Sequence, residues 1–386
     1  SRMKRYLSEP IRKDLKEKIV LLSGPRQVGK TTLARQLTSS HVYLNYDAAA
    51  DRRILQAQEW DRDSELAVFD ELHKMKRWKA WIKGIFDTEG TTPQLLVTGS
   101  ARLETYKKGG DSLAGRFYSY RLHPLTVHEI CSFLEDSSQT ALNKLLALGG
   151  FPEPYLKNSE AFAKRFRRMH SDTIVREDLL DLEKVRDIKS IEVLIDLLRS
   201  RVGSTTSYTS LANDLQVSIH TVKHWLQILE NLYIVFSVHP YHKNIARSLL
   251  KESKYYLYDT GAVEGDLGAK LENVVACALL RQLHFIEDTT GSRAELHYLR
   301  DKDKNEVDFL LMLDNKPVLM VEVKVGGDEG FSPALFRFQG YLNQAQPYQI
   351  AYDLTRKKTK GEARMLPAHE FLKDLPALLP PNGLSL

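Results

Sequence analysis

Between residues 18 and 125 the chain alternates two hydrophobic periods. Lys18–Ser23, Leu66–Phe69 and Gln94–Val97 are short apolar runs suited to strands buried in a parallel sheet, and segments such as Thr32–Leu37 carry helical spacing. This alternation predicts an α/β domain. After Pro124 the spacing becomes helical over Val127–Leu134 and Ala141–Leu148, turns at Gly149–Pro154, and is helix-compatible again over Ala161–Leu182. Leu211–Leu215, a turn with Ser218 as N-cap, and Ile219–Leu229 have helix-turn-helix spacing, and Ile234–Val238 and Lys254–Tyr258 would supply a wing of two strands. Near the end, Glu306–Leu313 and Pro317–Val325 alternate around Asp314-Asn315-Lys316. A turn centred on Asn315 sets Asp308 opposite Glu322, with Lys324 on the same face and Val307, Phe309, Leu311, Leu319, Val321 and Val323 on the other. The expected segments are an α/β domain over 1–125, a helical lid or linker over 126–200, a helix-turn-helix domain over 201–262 and a final α/β domain over 263–386.

Chemistry enters at the end of the first strand. Gly24-Pro25-Arg26-Gln27-Val28-Gly29-Lys30-Thr31 fits the phosphate-binding pattern G-x-x-x-x-G-K-[ST], between an apolar strand and a helix start where such a loop must lie. The free amides and positive dipole end of the following helix, which begins at Thr32, favour an anion. Lys30 can reach the β and γ phosphates, and the Thr31 hydroxyl can ligate Mg²⁺. Leu66–Glu71 is an apolar strand ending in two acids, the arrangement called Walker B in nucleoside triphosphatases. Asp70 would hold the metal through water and Glu71 would act as general base. Its position some forty residues after the loop suits a strand neighbouring the first. Ser100, after the strand Gln94–Gly99, reads equally as a sensor of γ phosphate or as a plain strand-to-turn residue.

Charge is uneven: residues 263–386 hold 15 Lys+Arg and 18 Asp+Glu, whereas the whole chain of 386 residues carries +5. Attraction to nucleic acid is therefore expected in the first two thirds. Lys164, Arg165, Arg167 and Arg168 form either a solvated helix face or a polyanion site, and His220, Lys223, His224 and Gln227 on the second helix of the helix-turn-helix would contact DNA or a packing partner. Two cysteines, Cys131 and Cys277, exclude a disulfide framework, no apolar run reaches the 18 residues of a membrane span, and the first residues show no signal-peptide core. A soluble cytoplasmic protein is expected. Asp308 and Glu322 beside Lys324 make either a divalent-ion site or a salt-bridged sheet face.

With these residues in hand the chain resembles prokaryotic P-loop ATPases of the AAA+ type whose carboxyl-terminal region, long called a domain of unknown function, is similar to the PD-(D/E)XK nuclease fold of restriction endonucleases. The resemblance rests on Gly24–Thr32, Phe69-Asp70-Glu71, Thr98-Gly99-Ser100, Ser112–Arg116, Gly149–Glu153, Tyr258-Asp259-Thr260-Gly261, Glu306–Phe309 and Val321–Lys324. It implies ATP and Mg²⁺ as ligands, with Thr32 completing the loop, a winged helix in the middle and a nuclease-like end. It implies Arg116 as an arginine facing γ phosphate, within one subunit or across the boundary of a homo-oligomer. It also implies Glu272 as the helix acid of a metal site with Asp308 and Glu322, and Lys324 as its lysine. Three functions remain in play: an ATPase, a metal-dependent nuclease under its control, and a nucleotide-gated switch for DNA or protein with a silent nuclease-like domain.

Overall fold

In the computed structural model, which describes residues 3–103, 113–182, 188–243 and 252–381, the chain divides into two compact units. The first holds the residues up to Pro124 with short returns at 181–182 and Asn231–Tyr233; the second starts at Leu125. Ser112 of the motif Ser112–Arg116 lies outside the described residues.

Five parallel strands organise the first unit: β1 (Ile19–Ser23), β2 (His41–Asn45), β3 (Leu66–Asp70), β4 (Gln94–Gly99) and β5 (Phe117–Arg121), in the order β2-β3-β4-β1-β5. Every residue of β1 is buried, as a strand covered on both faces requires. One expectation is corrected here. The strand ending in Asp70 is not the neighbour of the strand ending at the loop, because β4 lies between them and pairs with both, Val20 with Leu96 and Val68 with Leu96. Chain spacing sets the length of a crossover but leaves open how many strands it passes. Since all strands run the same way, the ends of β1, β3 and β4 emerge on one edge of the sheet, where a ligand crevice forms in open α/β sheets. Behind that edge Phe69 packs edge-to-face on Trp60 and Trp81, with ring centroids 4.9 and 5.6 Å away, which fixes the strand immediately before Asp70.

The second unit begins with helices Val127–Phe133 and Ser138–Leu148, close to their expected spans. Pro152–Lys157 is helical where the sequence predicts a turn over Gly149–Pro154, its start set by Pro152 in the first turn, and the helix expected over Ala161–Leu182 is Glu160–Thr173 followed by a wider turn, Ile174–Asp178, and Leu179–Leu182. Tyr208–Leu215 and Ile219–Asn231 follow as a helix pair, with Ser218 Oγ accepting the Thr221 amide hydrogen at 3.0 Å. Leu211, Leu215, Val222, Trp225, Leu226 and Leu229 are buried, so the pair is held by an apolar face.

β6 (Val235–Pro240) and β7 (Lys254–Leu257) pair antiparallel, and β6 also pairs in parallel with β8 (Ala294–Arg300) through His239 and Pro240. The two strands after the helix pair therefore belong to the same sheet as β9 (Glu306–Leu313), β10 (Lys316–Gly326), β11 (Gln346–Asp353), β12 (Lys358–Lys360) and β13 (Ala363–Pro367). Its order is β12-β13-β11-β10-β9-β8-β6-β7. The β9–β10 turn differs from the expected one. Lys316 pairs with Leu313, leaving a two-residue turn whose Asp314 and Asn315 both have positive φ, 48° and 65°. A register shift between Pro317 and Leu319 then restores the expected pairing, Val321 with Phe309, and continuing it sets Asp308 opposite Glu322. No described helix is long and apolar enough to cross a membrane.

Candidate functional sites

At the carboxyl end of β1 the chain turns through a loop that only glycine allows at two places. A Cβ on Gly24 would strike the carbonyl oxygen of Leu122, and Gly29 caps the helix Lys30–Leu37 at φ 105°. Lys30 is buried and donates from Nζ to the Gly24 and Pro25 carbonyls, at 2.8 and 2.7 Å, so its ammonium stays inside the loop's own curve. Val28 is buried, Gln27 is exposed with φ 61°, and Thr31 and Thr32 open the helix. Arg5 braces the loop from the amino-terminal segment, donating to the Val28 carbonyl at 2.7 Å and the His123 carbonyl at 2.6 Å.

Asp70 and Glu71 reach the same edge. Asp70 accepts from Thr98 Oγ1 at 2.6 Å and from the Tyr43 hydroxyl, and burial together with the neighbouring Glu71 charge raises its carboxyl above the ordinary range. Glu71 has φ 55°. Its two oxygens accept from the Ser100 amide at 3.0 Å and the Ser100 hydroxyl at 3.3 Å, and Lys74 Nζ stands 3.6 Å away. Burial opposes ionisation of Glu71, but His73 when protonated, together with the Lys74 and Lys30 charges, outweighs it and holds the carboxyl below its usual range; burial lowers His73 itself, so the two lysines are the standing charges. Ser100 is thus placed against Glu71. Arg116 is not brought to this edge. It precedes β5 at Phe117, which pairs with Ile19, whereas the loop follows Ser23, which pairs with Arg121; four residues of strand, about 13 Å, separate the two ends. Its guanidinium pairs with Asp87 instead, at 2.6 Å from Nε.

The second unit gathers the other acids. Asp308 Oδ2 accepts the Val323 amide hydrogen at 2.9 Å, and Glu322 Oε2 accepts that of Asp308 at 3.2 Å. Lys324 Nζ lies 3.1 Å from Glu322 Oε1. Glu272, on the long helix Leu267–Thr290, accepts from the Tyr256 hydroxyl at 2.7 Å. Burial, with the Asp308 charge second, pushes both Glu272 and Glu322 up to about 8, and burial raises Asp308 as well. The four residues do converge, but their oxygens are turned to backbone amides, a phenol and ammonium groups. Among the described residues no three His, Cys, Asp or Glu side chains are arranged to hold a metal ion.

Comparison with known proteins bears on the first unit most directly: residues 16–131 match a family model described as "AAA domain". The amino-terminal unit is thus similar over most of its length to an AAA-type domain. Residues 139–270 and 267–362 match two further models, each described as a domain of unknown function (DUF8612 and DUF4143). An uncharacterized protein of Methanocaldococcus jannaschii is 24% identical over 342 residues, 79% of this chain and 74% of its own length. One of Mycobacterium tuberculosis is 26% identical over 309 residues, 78% of this chain and 68% of its own. Among solved structures, a RuvB variant of Thermotoga maritima aligns over 60% of this chain and 86% of its own at 18% identity, with a TM-score of 0.31.

In the AAA domain, sequence reasoning overlooked Tyr43, because the half-buried run His41–Asn45 has no clear apolar period. Tyr43 bonds to Asp70 and also to Thr31, with Arg35 stacked 4.6 Å from its ring centroid, and burial raises its hydroxyl. Arg5 was likewise unmarked. Outside that domain the basic cluster splits: Lys164, Arg165 and Arg168 are exposed, whereas Arg167 reaches the Leu148 carbonyl at 3.5 Å and its charge offsets part of the burial that raises the Asp259 carboxyl. His220, Lys223, His224 and Gln227 are all exposed on the helix Ile219–Asn231.

Proposed function

We propose that the AAA-type domain binds ATP with Mg²⁺ and hydrolyses it. The reading is carried by the convergence of Lys30, Thr31, Asp70, Glu71 and Ser100 on the edge of the sheet where the glycine-permitted loop closes. The residues fit the ligands. Gly24 through Thr32 would wrap the phosphates with main-chain amides, and Lys30 would exchange its two carbonyl partners for phosphate oxygens. Thr31 and Asp70 would hold the metal, whose positive charge offsets that of the phosphates. Glu71, kept ionised by its cationic neighbours, is suited to take the proton of an attacking water, and Ser100 aims it. Arg116 sits too far from its own loop, so its role at γ phosphate requires a neighbouring subunit, with Arg116 leaving Asp87.

A second reading, a nucleotide-gated switch, is favoured by one observation. Both Glu71 oxygens are occupied by Ser100, so turnover waits on release of that contact. In this reading the helix pair and β6–β7 act as a winged helix that contacts DNA through His220, Lys223, His224 and Gln227. The sheet beyond it acts as a PD-(D/E)XK nuclease-like module built on Glu272, Asp308, Glu322 and Lys324.

Nucleotide binding by calorimetry and phosphate release test both. Lys30→Ala should abolish binding. Glu71→Gln should keep binding and lower kcat by about 10²–10⁴-fold. Equal hydrolysis by Glu71→Gln and wild type removes the general-base role, whereas very slow wild-type turnover together with strong nucleotide-dependent binding of DNA or protein favours the switch.

A further inference from the structure

Three acids held together and largely shielded from water need positive charge beside them, because an uncompensated buried carboxylate costs several kcal/mol or gives up its charge. Around Glu272, Asp308 and Glu322, with Glu306 at the rim, two lysines supply it. Lys324 is the lysine of the E-x-K pattern, but its side chain is 43% exposed, with its Nζ 3.1 Å from Glu322 Oε1. Lys254 comes from β7, far from the pattern, and is 1% exposed. Its Nζ bonds to Glu306 Oε1 and stands 4.0 Å from Glu272 Oε1.

The strand that delivers it is fixed. Asn273, next to Glu272 on the long helix, grips β7 by accepting the Leu257 amide hydrogen and donating to the Leu257 carbonyl, both at 2.9 Å. Tyr256, two residues from Lys254 and on the same face of β7, donates to Glu272. One strand thus points a cation and a hydroxyl donor at the cluster.

We infer that Lys254 is the resident cation of the Glu272–Asp308–Glu322 cluster, and that its ammonium fills the electrostatic place a divalent ion would otherwise take. The wild-type cluster then carries no bound metal, and removal of this one amine converts it into a divalent-cation site. The inference is separate from the ATP reading and stands whether or not the first unit hydrolyses nucleotide.

Titration of the nucleotide-free full-length chain with Mn²⁺ tests it, with free ion read by electron paramagnetic resonance and heat by calorimetry. Lys254→Met, which keeps most of the aliphatic stem, should bind one ion at least about tenfold more tightly than any binding wild type shows at the cluster. Adding Glu322→Ala to Lys254→Met should abolish that binding, which locates it. If Lys254→Met does not fold, the double variant Lys254→Met/Glu306→Gln, which removes one carboxylate along with the amine, carries the same expectation. The inference is overturned if wild type binds Mn²⁺ as tightly as the lysine variant with the site lost in Glu322→Ala. It is overturned equally if a folded lysine variant gains no site.

Discussion

Replacing Asn273 by alanine should loosen β7 by about 3 kcal/mol. The side chain is fully buried and acts as a strand segment toward the outer edge of β7, bonding the Leu257 amide and carbonyl at 2.9 Å and Thr260 Oγ1 at 2.8 Å. After truncation the Leu257 carbonyl keeps the Cys277 thiol at 3.2 Å, but its amide hydrogen is left buried without this acceptor. An orphaned buried donor costs about 1–3 kcal/mol, and the lost bonds and small cavity add roughly 1 kcal/mol more. Amide hydrogen exchange reads this directly: Leu257 and its β7 neighbours should exchange about a hundredfold faster. Asn273→Asp sharpens the test, since one oxygen can still accept the Leu257 amide hydrogen while the other confronts the Leu257 carbonyl. The new carboxyl is then held above its unfolded value, so the folded state keeps an extra proton between the two values. Stability relative to wild type should fall as pH rises through that window, and the alanine variant should show no such trend. Unchanged exchange in the alanine variant, or an aspartate variant as stable as wild type at pH 8, would refute the assignment of Asn273 as the clasp of β7.

Tyr43→Phe removes a donor to Asp70 and should raise the Mg²⁺ concentration needed for half-maximal nucleotide binding by about tenfold; equal or tighter Mg²⁺ dependence counts against a positioning role. Burial raises the Asp259 carboxyl to about 6 against the opposing charge of Arg167. The folded state therefore favours the protonated form, and wild-type stability falls as pH rises from about 4 through 6, so Asp259→Asn should gain on wild type by roughly 2–3 kcal/mol between pH 4 and 7.5 in denaturant melts. A stability difference that does not vary with pH would show that Asp259 is ionised as freely in the folded chain as in the unfolded one.

The ends of the strands were legible because loop chemistry and strand pattern coincide there: Gly24–Thr31 follows a wholly buried strand, and Asp70 and Glu71 close another. Asp308 and Glu322 were legible from alternation alone, although the turn is shorter than expected and a bulge makes up the difference. What stayed hidden depends on long-range placement. The insertion of β4 between β1 and β3 leaves no mark in chain spacing, and the motif holding Arg116 does not say which end of the sheet it occupies. Tyr43 and Lys254 are single polar residues on strands, with partners 27 and 52 residues away, so no local period announces them.

The ladder running unbroken from β7 to β12 also governs how the polypeptide can be dissected. A fragment beginning at residue 263, where the sequence invites a cut, would lose β6 and bare one side of β8, inviting self-association through its open backbone. The same fragment would lack the partner of Glu306 and would leave Asn273 with nothing to grasp. Expression trials of the carboxyl-terminal half are better started upstream of the helix Val127–Phe133, near Leu125, so that the strands and the helices packed on them are synthesised together.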